Sequence, residues 1–169
     1  MTANTRLGHV VRDATGVRLD FVRDYDASLD EVWSAVTDPE RLARWFGRWS
    51  GDPTTGTVKV VMSAEAGTEP ATVTIDACEP PRRLAVTLNS PDGPWPLELA
   101  LTERVTGTSL RFLHHLAQPY DASSIGPGWQ FYLDRLGAEI EGMPAPHTWE
   151  NYYPVLASAY PVPGDNSAT

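Results

Sequence analysis

The sequence predicts an α+β fold: a curved antiparallel sheet closed over one long C-terminal helix, with two short helices after the first strand. Three observations carry this reading. Residues 57–116 alternate apolar and polar side chains in successive short runs separated by turns, as an antiparallel meander does. The period then changes, and Trp129, Leu133, Leu136 and Ile140 fall at i, i+4, i+7 and i+11, the stripe of a long amphipathic helix. Ahead of the meander, "YDASLDEVWSAVTDPERLARWFG" (residues 25–47) carries two helical apolar faces divided by a proline.

Residues 1–6 read as a loose terminus. "GHVVRDATGVRLDFVRDY" reads as a hairpin turning at Ala14-Thr15-Gly16, with Val17, Leu19 and Phe21 on one face against Arg18 and Asp20. Ser28-Leu29-Asp30-Glu31 fits a capping box, in which the hydroxyl accepts from the third helical N–H and the glutamate reaches back. Leu29, Val32, Trp33 and Val36 form the inner face of that helix, with Trp33 as its central core residue. Asp38 caps the next helix and Pro39 sits where a missing N–H costs nothing. Leu42, Trp45 and Phe46 form the second inner face, and Gly47 is the expected stop.

In the meander the inward sets are Val58, Val60 and Met62; Val73, Ile75 and Ala77; Leu84, Val86 and Leu88; Leu97, Leu99 and Leu101; and Leu110, Phe112 and His114. Turns are expected at Pro80-Pro81, across residues 91–96, and at Thr106-Gly107. Gly126-Pro127-Gly128 reads as the turn into the long helix, which ends near Gly142. These assignments give a domain over residues 7–143. Residues 144–169 are an extension that docks on it through "HTWENYYPVLASAY" and ends in a disordered tail. A curved sheet gripping one helix leaves a space between them, and the aromatics of the two short helices face it.

The chain has 169 residues and a formal net charge of -9, without the basic footprint that a nucleic-acid partner requires. No apolar run is long enough to span a bilayer, and the N-terminal residues carry no secretory pattern, so the cytoplasm is the expected compartment. The single cysteine, Cys78, excludes an internal disulfide, and four scattered histidines give no metal set. No cofactor motif is present, and neither a metal nor a cofactor is expected. The acidic residues Asp20, Asp24 and Asp26 read as a solvated face.

Element order and wording together resemble the helix-grip superfamily of START-like (SRPBCC) domains. The branch most resembled is named after the C-terminal domain of the heat shock protein 90 ATPase activator. The resemblance is carried by "ASLDEVWSAVTDPERLARWFG", "CEPPRRLAVTL", "LELALTERVTGTSLRFLHHL" and "GWQFYLDRLGAEIEG", in that order. It implies a cavity between sheet and long helix that takes a small apolar or aromatic molecule. Strand parity and the helical stripe place Trp45, Phe46, Met62, Ile75, Leu99, Phe112, His114, Trp129 and Leu133 on its walls. Binding of such a molecule is the expected function, with no catalytic residue assigned. A polyketide cyclase or dehydratase-like enzyme would need polar groups converging in the cavity, and His114 is the clear candidate. A protein-interaction or co-chaperone module would need an exposed docking surface, with a chaperone or a second copy of the chain as partner.

Overall fold

The computed structural model describes residues 8–62, 69–90, 93–117 and 122–144, together with Tyr152 and Tyr160. The expected loose N-terminus and most of the C-terminal extension lie outside the described residues. The first hairpin forms as its alternation predicts, from β1 (His9–Asp13) and β2 (Gly16–Tyr25). Leu19, Phe21 and Tyr25 of β2 are buried, and so is Arg23 between them, because strand parity points it inward with its apolar neighbours.

Helix α1 (Leu29–Thr37) starts at Ser28, whose hydroxyl accepts from the Glu31 N–H at 3.2 Å. The other half of the expected capping box is replaced: the Glu31 carboxylate pairs with Arg41 at 2.8 Å. Leu29, Val32, Ala35 and Val36 make the buried face. Trp33 lies at its border and is only partly buried, not central as expected. Helix α2 (Pro39–Trp45) is capped as anticipated, with the Asp38 carboxylate accepting from the N–H groups of Glu40 and Arg41. Gly47 is not a helix stop. It opens a short strand, β3 (Gly47–Ser50), where a Cβ would stand 2.5 Å from the carbonyl oxygen of Val61.

A short 3-10 turn (Pro53–Thr55) leads into β4 (Thr57–Met62), followed by β5 (Ala71–Glu79), β6 (Arg83–Ser90), β7 (Gly93–Arg104) and β8 (Gly107–Leu116). Among the described residues these strands form one antiparallel sheet in the order β1-β2-β8-β7-β6-β5-β4-β3. Residues 93–96, expected as turn, belong to β7. Pro94 and Pro96 are tolerated there because this stretch pairs with β6 alone, and the β8 register begins only at Leu97 opposite His114. Asp20 is not merely solvated, since it receives the Arg111 guanidinium across the β2–β8 pair.

Helix α3 (Ala122–Glu141) begins well before Trp129 and carries Gly126-Pro127-Gly128 inside it. Those residues are therefore not a turn. Gly126 is required by a neighbour: a Cβ there would meet the Tyr160 ring at 2.5 Å. The helix ends at Gly142 with φ 69°, the left-handed conformation that glycine supplies at little cost. The core lies between the concave face of the sheet and the inner faces of α1, α2 and α3. This is the α+β helix-grip architecture.

Candidate functional site

The corner between α1 and α2 is fixed by hydrogen bonds to carbonyls that a helix end leaves unpaired. The Trp45 indole donates to the Ala35 carbonyl at 2.8 Å, and the Trp49 indole to the Thr37 carbonyl at 2.9 Å. Arg135 on α3 does the same for α2, donating to the carbonyls of Arg44 and Trp45 at 3.0 and 3.2 Å. Glu139 of α3 adds ion pairs to Arg41 and Arg44 at 3.2 and 2.9 Å. The corner is thereby tied to α3 and stands off the sheet, leaving a cavity of about 280 Å3.

The floor of the cavity is aliphatic, built from inward residues of β4 to β7 such as Val60, Val73, Val86 and Leu97. Its roof is aromatic. Phe46 stacks on Trp129 at 6.0 Å between centroids and 14° between planes, with Trp45 at 5.5 Å from Phe46 and Phe112 at 4.7 Å from Trp129. Of the residues that parity placed on the walls, Trp45, Phe46, Ile75, Leu99, Phe112, Trp129 and Leu133 are there. Met62 and His114 are not among the lining residues. Met62 is the last residue of β4 and pairs with Gly47 of β3, which carries it beyond the void. His114 lies behind the wall, because the Trp129 indole occupies the space in front of it and donates to its Nδ1 at 3.0 Å.

Two strand residues line the cavity against the alternation, Cys78 of β5 and Glu98 of β7. A bulge between Ile75 and Ala77 reverses the parity of β5, so Cys78 and not Ala77 reaches the cavity. Cys78 is exposed, which places it at the mouth. Among the described lining residues, Cys78 and Glu98 are those with ionisable side chains, and Glu98 accepts from Arg83 Nε at 2.8 Å. No group of described residues is arranged to hold a metal ion.

Burial of His114, with a smaller contribution from the charge of adjacent His115, lowers its pKa from 6.5 to about 4. The geometry agrees, since an Nδ1 that accepts from Trp129 has no room for a second proton. Between these pH values the unfolded chain binds the proton and the folded one does not. Stability is therefore full above pH 6.5 and falls as the pH drops towards 4, by on the order of 3 kcal/mol from this group. Denaturant unfolding at pH 7 and pH 4.5 checks this, and His114→Gln should lose this part of the pH dependence.

A second buried group is polar and holds the C-terminal tyrosines. Arg23 of β2 faces Asp134 of α3 at 3.7 Å, and Asp134 accepts from the Tyr152 hydroxyl at 2.8 Å. The Tyr160 hydroxyl donates to Gln130 at 3.2 Å and accepts from the Gly8 N–H at 3.0 Å. Parity on β2 points to Arg23, but nothing in the α3 stripe singles out Gln130 or Asp134.

Sheet, roof and the apolar space between them define a helix-grip domain with a central cavity. The chain belongs to the family described as Activator of Hsp90 ATPase homolog 1-like protein, whose model matches residues 26–141. It is similar to the crystal structure of CalU16 from Micromonospora echinospora, at 32% identity over 92% of this chain and 94% of that one, with TM-score 0.72. DynU16, a protein of the dynemicin biosynthetic locus, is 27% identical over 76% of this chain and 49% of its own, with TM-score 0.65. A Bordetella parapertussis protein is 25% identical over 86% and 85%, with TM-score 0.67. No curated protein matches the chain. Among the described residues no helix is long and apolar enough to cross a membrane.

Proposed function

We propose that the domain binds a small, neutral, apolar or aromatic molecule between the sheet and α3. The observation that carries this reading is the space of about 280 Å3, open at a mouth and walled by aliphatic and aromatic side chains. Its three wall indoles all donate to acceptors of the protein itself, so the roof presents ring faces and not free donors. Nor does a lysine or arginine line the described wall, which favours a neutral molecule over a carboxylate or phosphate. Binding is preferred to catalysis because His114, the expected acid–base group, is engaged behind the wall. The likeness to a protein of a biosynthetic locus supports a ligand that is itself a small-molecule intermediate or product.

A neutral phenylnaphthylamine probe should bind with a dissociation constant near micromolar, about 8 kcal/mol. Burial of most of its surface at ~25 cal/mol per Å2 reaches that figure after the cost of immobilisation. Quenching of tryptophan emission follows the titration, because Trp45, Trp49 and Trp129 line the site. The absence of saturable binding below millimolar probe would remove this reading.

A further inference from the structure

We propose that His114 is a positioning residue for the cavity: its neutral imidazole holds Trp129 as a wall, and ligand affinity depends on an acceptor at position 114. This rests on the binding reading above. His114 does not line the cavity, yet it is 2% exposed and touches the wall residue with the widest set of aromatic contacts. Trp129 meets Phe46, Trp95, Phe112, His114 and Tyr132. All of these are ring packing, which tolerates sliding and tilting of an indole. The contact that fixes the orientation of Trp129 is directional, from Nε1 to His114 Nδ1 at 3.0 Å. His114 is itself held, with Trp95 packed on its ring at 4.8 Å and register partners Leu19 on β2 and Leu97 on β7.

An apolar side chain at 114 would leave the buried Trp129 N–H without its acceptor. The indole would then turn towards another acceptor or towards water, and both routes move it out of the wall. A glutamine keeps a neutral acceptor oxygen and does not titrate near neutral pH. The role is therefore that of an acceptor, not of a base.

The test uses the full chain, the neutral phenylnaphthylamine probe and nitrogen-15 spectra of the side chains. His114→Leu should weaken probe binding about tenfold and shift the Trp129 indole N–H resonance, while His114→Gln stays within about threefold of the parent. Equal affinity in His114→Leu and the parent would overturn the proposal, as would equal losses in the leucine and glutamine variants. If His114→Leu does not fold, the parent protein still decides. At pH 7 its His114 should show a proton on Nε2 and a hydrogen-bonded acceptor at Nδ1, and a proton on Nδ1 would overturn the assignment. A parent that binds no probe yet shows this tautomer refutes the binding reading and the dependence of affinity on His114 together. The Trp129 contact itself would stand.

Discussion

Leu133→Trp weakens probe binding about a hundredfold while the domain stays folded. Leu133 is 1% exposed and sits on the face of α3 that borders the void. A larger side chain in a close-packed core costs typically ~1–3 kcal/mol, because neighbours must leave their rotamers. Here the added ring has an empty space of about 280 Å3 to enter, so the stability cost falls at the low end. Affinity falls because the same space is no longer free. The expected loss is about a hundredfold, or about 2.7 kcal/mol. Probe titration and a thermal melt, run side by side, separate the two effects. An unfolded variant would mean that the space is too small to accept an indole, and unchanged affinity would place the probe elsewhere.

Tyr160→Ala should destabilise the domain by about 3–5 kcal/mol, the range for removing a large buried side chain. The ring is 3% exposed and lies directly on Gly126, and its hydroxyl serves both Gln130 and the Gly8 N–H. Each of those buried polar groups would lose a partner. For a chain of this length the melting temperature should fall by roughly 10 °C. Tyr160→Phe keeps the ring and removes the hydroxyl, so it should cost only about 1–2 kcal/mol. This pair of variants also tests the wider proposal that the extension beyond residue 143 docks on the domain. A melt unchanged in Tyr160→Ala would contradict it.

How far the fold could be read from the residues follows from where local pattern decides. Alternation on β4, β5, β6, β7 and β8 and the Trp129–Leu133–Leu136 stripe on α3 point to the core face, and apart from Ala77 beyond the β5 bulge those residues are buried, packed against the core or line the cavity. The α1–α2 corner was legible because Asp38 and Pro39 mark a helix start by their chemistry. Strand β3 was not legible, because four residues carry too little alternation to show a period. The start of α3 was misplaced for a different reason. Gly126 and Pro127 have turn propensity, but the glycine answers to a ring from residue 160, a contact far away in sequence.

The candidate site divides along the same line. Parity along a regular strand placed Ile75, Leu99 and Phe112 on the wall, and a bulge at Asp76 hid Cys78 from the same argument. His114 shows that facing inward is not the same as reaching a cavity. Its side chain points into the core as expected, but Trp129 stands between it and the space. Arg23 was within reach of the β2 alternation. The partner across the core, Asp134 at 3.7 Å, gives a reason to keep a charge there that β2 alone does not show.

The most direct test of a ligand site between sheet and helix is a nuclear Overhauser measurement on the protein saturated with the phenylnaphthylamine probe. Val73, Ile75, Leu97 and Leu133 line the space from opposite sides and carry methyl groups that report contact. The account predicts contacts from the aromatic protons of the probe to methyls of both the sheet and α3 in one complex. Contacts confined to outward residues such as Val22 or Val61, with the inner methyls unperturbed, would contradict it.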